Sequence, residues 1–250
     1  MSPASSHLRV WFDLARAGNF PSVASNVLAA GVLSATVAAP AWPENAGFPP
    51  LVPLLLAIAA ACLVYAGGAT FNDVADAAFD RKHRPERAIP RGVVTRAGAA
   101  WVAGGQMAVG LGGLIALGAG VGWTLALAAT ILAYDWIHKR WVGSVVLMAG
   151  CRVLLACALA SMPGGIFSPA FLLWVTALFV YIVGLSLIAR WEYKPGAPAA
   201  RIGRSVGRLL AFIPLIDAIA LLLVGAWIPA MACAAAVPLG RLAQRLAAST

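Results

Sequence analysis

Three of the nine acidic residues in this 250-residue chain fall within ten positions, Phe71-Asn72-Asp73-Val74-Ala75-Asp76-Ala77-Ala78-Phe79-Asp80. A helix turns by about 100° per residue, so Asn72, Asp73, Asp76 and Asp80 would share an arc of about 100°. Carboxylates so close repel one another, and the usual compensation is a divalent cation. Hard oxygen donors suit Mg²⁺, which keeps waters and is completed by substrate phosphates. The competing reading is a solvated acidic helix end neutralised by the following Arg81-Lys82-His83-Arg84. Acidic residues at a helix C-terminus oppose the helix dipole, so stability alone places them poorly there. The run continues through Arg87 and Arg91 to Gly92. Cations beside a metal site can hold an anionic leaving group; topogenic charge is the alternative for any one of them.

The elements that position these residues must lie in a membrane. Hydrophobic residues make up 62% of the chain and charged residues 11%, against about 25% charged in a soluble domain. Mean hydropathy is +0.87. The net charge of +9 would suggest nucleic acid in a soluble protein. Here it is assigned to loops facing anionic lipid, and no nucleic-acid partner is expected. Cys62, Cys151, Cys157 and Cys233 lie in apolar stretches without metal-like spacing and read as small buried hydrophobes. The segment from Met1 to Phe20 lacks the apolar core of a signal peptide.

Apolar runs long enough to span, or nearly so, predict about eight transmembrane helices, near 21–40, 50–71, 97–118, 120–135, 143–162, 168–189, 208–226 and 228–240. The fold class is therefore all-α, a polytopic helical bundle, with residues 1–250 as one domain. Basic residues gather at 81–96, Lys139-Arg140, 190–204 and Arg241/Arg245; the alternate loops carry only Glu44. The positive-inside rule then puts both termini, and the loops near 72–96 and 190–207, in the cytoplasm, which requires an even number of spans. Arg152 and Asp217 fall inside spans, where a charge is costly and faces the bundle interior. Arg152 should point towards a carboxylate or a diphosphate; Asp217 needs a partner or a proton.

The pattern N-D-x-x-D-x-x-x-D, continuing as D-R-K-x-R-P-x-R-x-I-P-x-G, resembles the first signature of the UbiA superfamily of intramembrane prenyltransferases. Arg16, Ser25-Asn26, Tyr134 to Arg140, Met148-Ala-Gly-Cys151-Arg152 and Tyr181 to Glu192 resemble further family positions, up to about residue 217. The Cys151-Arg152 pair and the run Ser186-Leu-Ile-Ala-Arg-Trp-Glu192 most resemble its EboC-like branch. The resemblance implies a helical bundle, usually of nine spans. It implies a Mg²⁺-dependent transfer of a prenyl group from an isoprenoid diphosphate to an acceptor, which the sequence leaves unidentified. Asp73 and Asp76 would be catalytic. Asn72, Asp73, Asp76 and Asp80 would bind Mg²⁺–diphosphate. Arg16, Arg87 and Lys139 would contact phosphate oxygens, and Tyr134, Asn26 and Arg152 would complete the substrate site. The protein would be integral to a bacterial inner membrane, with its active site open to the cytoplasm.

One departure stands out. The family's second signature, commonly D-x-x-x-D, is matched by Leu187-Ile-Ala-Arg190-Trp191-Glu192-Tyr193-Lys194, which has a single carboxylate. Glu192 is open to three readings: a metal ligand, a partner of Arg152 or Arg190, or a solvated loop residue. The degraded signature also leaves a non-catalytic descendant, binding or moving a lipid-like metabolite, as the alternative. The CDP-alcohol phosphotransferases share an Asp-rich membrane helix but want D-G-x-x-A-R, which is absent here. An unrelated transporter would explain Arg152 and Asp217 but not the Asn/Asp motif.

Overall fold

The structure, a computed structural model, describes residues 3–35, 50–191 and 199–247. Its named elements are all helices: α1 (Pro3–Leu14), a 3₁₀ turn (Ala17–Asn19), α2 (Phe20–Leu33), α3 (Leu51–His83), α4 (Arg96–Ala116), α5 (Val121–Ile137), α6 (Ser144–Ala160), α7 (Pro169–Arg190), α8 (Ala199–Ala211), α9 (Ile213–Leu223) and α10 (Trp227–Leu246). Among the described residues, four stretches are both long and apolar enough to cross a membrane: α3, α4, α7 and Ile202–Leu223; α5 and α6 are shorter apolar helices. Large side chains such as Trp101 (82% exposed) and Leu173 (66% exposed) face outward, as a bilayer-embedded bundle requires. The protein is an integral membrane protein.

Three of the boundaries that differ from those read in the sequence do so for local reasons. Helix α2 ends at Leu33, where the Ser34 hydroxyl bonds back to the Ala30 carbonyl at 2.6 Å; residues 36–40 of the 21–40 span lie outside the described residues. The 50–71 span continues without a break to His83, so the Asp motif lies on a helix, as its spacing implied; that helix has 33 residues and is about 50 Å long, and the polar loop read near 72–96 starts only after it. The 208–226 span is broken at Phe212, because Pro214 in the first turn of α9 lacks an N–H to continue the preceding helix. Part of the polar 190–207 loop is thereby the amphipathic helix α8.

Small residues set the packing. In α4, a Cβ added to Gly110 would stand 2.7 Å from the Ala60 carbonyl of α3; one added to Gly67 of α3 would stand 2.8 Å from that of Ala103. The α3–α4 pair is the most extensive helix contact, and small-residue faces are how helices approach closely in lipid. Hydroxyl caps fix the ends. Ser168 accepts from the Phe171 N–H and donates to the Leu33 carbonyl, tying the start of α7 to the end of α2. Ser161 accepts from the Gly120 N–H, tying α6 to α5. Helix α2 lies innermost, touching α3, α6, α7, α9 and α10.

Candidate active site at the end of α3

Asn72, Asp73, Asp76 and Asp80 project from one face of α3, and their neighbours arrive from three other segments. Arg16 comes from the turn after α1. Its backbone is left-handed (φ 46°, ψ 46°), a conformation that costs a non-glycine residue about 1–2 kcal/mol. That turn aims the guanidinium at the motif: Nη2 donates to Asn72 Oδ1 at 3.2 Å and to Asp73 Oδ1 at 3.1 Å. Burial alone would lower its pKa; the Asp73 carboxylate, followed by Tyr65, Tyr134 and the Asp73 hydrogen bond, outweighs burial and raises it. Arg87 returns from the turn beyond α3 and bridges two carboxylates through Nη1, at 2.9 Å from Asp73 and 3.0 Å from Asp80. Asp80 is 2% exposed, so this pair holds a buried charge.

The third segment is the end of α5. His138 Nε2 lies 3.1 Å from Asp76, and Lys139 Nζ lies 3.1 Å from the other Asp76 oxygen. Lys139 also sits 4.0 Å from the centre of the Phe79 ring, and His138 stacks on Tyr134 at 5.0 Å. Asp135 accepts from Asn72 Nδ2 at 3.1 Å, while its Oδ2 is buried with no hydrogen-bond partner among the described residues. The sequence reading missed Asp135 and His138. A carboxylate one residue past Tyr134, inside an apolar span, was the available signal.

The motif opens on a cavity of about 740 Å³, counting the space at its mouth. Arg16, Asn72, Tyr134 and Asp135 line one end. The wall is mostly apolar, including Val64, Leu127, Ile131 and Leu155, and Arg152 lines it as well.

Of the residues picked from sequence, Arg16, Asn72, Asp73, Asp76, Asp80, Arg87, Tyr134 and Lys139 are brought together. Asn26 and Arg152 belong to a separate buried network. Asp217, fully buried, accepts from Ser25 Oγ (2.6 Å), Asn26 Nδ2 (2.8 Å) and Trp174 Nε1 (2.8 Å). Arg152 donates to Asn26 Oδ1, to the Ser22 carbonyl (3.1 Å) and to Ser22 Oγ (3.0 Å). Arg190 instead binds the turn after α5, through the Trp141 carbonyl (2.8 Å) and Ser144 Oγ (2.9 Å). Glu192 lies outside the described residues.

Among the described residues, no three His, Cys, Asp or Glu side chains form a metal-holding group by themselves. The donor set nevertheless fits Mg²⁺. That ion needs one or two carboxylates and takes the rest from water and phosphate, and Asp135 Oδ2 is a buried oxygen without a donor.

The UbiA prenyltransferase family matches residues 32–247. The digeranylgeranylglyceryl phosphate synthase of Thermococcus kodakarensis is 34% identical over 122 residues, 46% of this chain and 41% of that protein. That of Thermococcus gammatolerans is 36% identical over 123 residues, 48% of this chain and 42% of the relative. These matches span less than half the length of the relatives. Two solved structures share the fold. One, from work on digeranylgeranylglyceryl phosphate synthase in membranes, gives a TM-score of 0.61 at 13% identity, covering 96% of this chain and 95% of the other. The second is a UbiA homologue from Archaeoglobus fulgidus bound to DMAPP and Mg²⁺, with a TM-score of 0.56 at 16% identity over 93% of this chain and 86% of that one. With a family match across most of its length and the same helical bundle, the chain belongs to the UbiA prenyltransferase family.

Proposed function

We propose that the protein is an intramembrane prenyltransferase, moving a prenyl group from an isoprenoid diphosphate to an acceptor in or at the bilayer. The observation that carries this reading is the meeting of Asn72, Asp73, Asp76 and Asp80 with Arg16, Arg87 and Lys139 at one end of an apolar cavity. Asn72, Asp73 and Asp76, with Asp80 and Asp135 beside them, would hold Mg²⁺; when bound, that ion neutralises charge on the diphosphate. Arg16, Arg87 and Lys139 exchange their carboxylate partners for phosphate oxygens. They stabilise negative charge where it grows as the C1–O bond of the donor breaks and its electron pair leaves with diphosphate. The acceptor's nucleophilic atom forms the new bond to C1 and releases its proton, so diphosphate and a proton are the co-products. Val64, Leu127 and Ile131 keep water from the allylic centre. Both termini and the α3–α4 turn face the cytoplasm in this reading, which places the charged mouth there.

A second reading rests on one specific observation: the stretch 187–194 carries no D-x-x-x-D pair. A protein of this kind could bind a prenyl diphosphate without transferring the chain. Purified protein, incubated with labelled prenyl diphosphates, Mg²⁺ and a panel of electron-rich acceptors, separates the two. Labelled product that disappears in Asp73→Ala supports transfer. Tight binding with no product from any acceptor supports the binding reading. Absence of binding to every prenyl diphosphate overturns both.

A further inference from the structure

Arg152 is a poor fit to a cavity meant only for a prenyl chain. It sits mid-helix in α6, and its guanidinium carbon is 5.5 Å from the ring centre of Tyr65. Tyr65 lies seven residues before Asn72 on α3, so this cation stands about 10 Å deeper in the bundle than the Asp motif. Arginine has five N–H donors. Two from Nη1 go to the Ser22 carbonyl and Asn26 Oδ1, and one from Nη2 goes to Ser22 Oγ. Among the described residues the Nε–H and the second Nη2–H carry no partner, and Arg152 lines the cavity.

The network behind Arg152 explains how that edge stays free. Asp217 supplies the counter-charge, but at one remove. Its oxygens are taken by Ser25, Asn26 and Trp174, and the Asn26 amide passes the polarity on to Arg152. A direct carboxylate–guanidinium pair would have consumed the fork. Four helices, α2, α6, α7 and α9, thus hold one cation in place without filling its remaining donors. A hydrocarbon tail lying across this edge would strip water from those two donors and give them no partner in return. The edge suits an oxygen.

We propose that the Arg152 edge is a second recognition point inside the membrane, binding a carboxylate or carbonyl oxygen on the apolar body of the acceptor. Asp217 and Asn26 act as positioning residues for it. This rests on the prenyl-transfer reading for the word acceptor; the oxygen site itself stands on the geometry of Arg152. It divides the cavity into a donor-head end at Asn72 and an acceptor-oxygen level at Arg152, so both ligands must be able to bind together.

The test uses the full chain in nanodiscs. The probe is a diazirine-bearing decanoate, and its methyl ester is the neutral comparator. Labelled peptides are mapped by mass spectrometry, with and without dimethylallyl diphosphate and Mg²⁺. In the wild type, the acid should label peptides containing Tyr65 or Cys151 at least five-fold more than the ester, and dimethylallyl diphosphate should leave that ratio standing. Arg152→Met should bring the ratio to about one. Arg152→Lys keeps the charge and loses the fork; it should fold, bind dimethylallyl diphosphate within about two-fold of wild type, and lose at least three-fold in labelling. Asp217→Asn should lower labelling two- to three-fold. Equal labelling by acid and ester in the wild type would overturn the site, as would undiminished labelling in Arg152→Lys. Displacement of the probe by dimethylallyl diphosphate would overturn its assignment to the acceptor. A wild type that binds no dimethylallyl diphosphate would count against prenyl transfer, and the acid-to-ester ratio alone would then decide the Arg152 site.

Discussion

Replacing Arg87 by methionine separates the electrostatic role of the motif's cations from mere bulk. Arg87 Nη1 bonds Asp73 at 2.9 Å and Asp80 at 3.0 Å, and Asp80 is 2% exposed. Without it, Asp73 keeps Arg16, but Asp80 loses its ion-pair partner among the described residues while Asp76 lies one turn away. Breaking a buried pair costs about 3–5 kcal/mol. Arg87 is 18% exposed, so water reaches it and solvent screening reduces the cost below that range, to about 2–3 kcal/mol. For a chain of this size that corresponds to a fall in the unfolding midpoint on the order of 4–12 °C. The companion variant Arg87→Met/Asp80→Asn removes the orphaned charge and should recover more than half of the loss. Mg²⁺ titrated into Arg87→Met should raise its midpoint more than that of the wild type, because a cation then fills a vacated role. Thermal unfolding in nanodiscs measures all three. A single variant within about 1 °C of wild type would show that Arg87 carries no such electrostatic role, and so would a double variant no more stable than the single.

Other expectations follow from separate parts of the molecule. A Gly110→Val variant should unfold about 1–3 kcal/mol more easily, because its Cβ would stand 2.7 Å from the Ala60 carbonyl, whereas Gly105→Ala, with open space around it, should be neutral. Asp217→Ala strips the acceptor from Ser25, Asn26 and Trp174 and should cost about 3–5 kcal/mol, read in the same unfolding assay. In a Cys-less background, a cysteine at position 84 should react with an impermeant thiol reagent only from the cytoplasmic side; labelling from the opposite side would invert the proposed orientation.

The helices were legible because their signals are local. Apolar runs give α4 to α7, and the start of α3, within a few residues, and the 100° arithmetic alone places Asn72, Asp73, Asp76 and Asp80 on one face. The apolar run ends at 71, the helical spacing of the acidic residues carries α3 on to Asp80, and only the last turn, Arg81 to His83, is polar enough to hide it. The break at Phe212 was visible only as Pro214 inside an apolar run. Non-local partners were harder. Arg16 meets Asp73 across 57 positions, and Asp217 meets Ser25 across 192; no pattern along the chain encodes such pairings. The expectation that Arg152 points towards a carboxylate is met at one remove, through Asn26 to Asp217. The same side chain lines the cavity.

The central claim is that this cluster takes a Mg²⁺–diphosphate. Its most direct test is calorimetric binding of dimethylallyl diphosphate to wild type, Asp73→Ala and Asp76→Ala, each with Mg²⁺ and with EDTA. Binding is expected in the wild type only when Mg²⁺ is present, with a loss of at least 100-fold in affinity in each variant, about 2.7 kcal/mol for one removed charge contact. Wild-type affinity retained in both variants, or binding indifferent to EDTA, would contradict it.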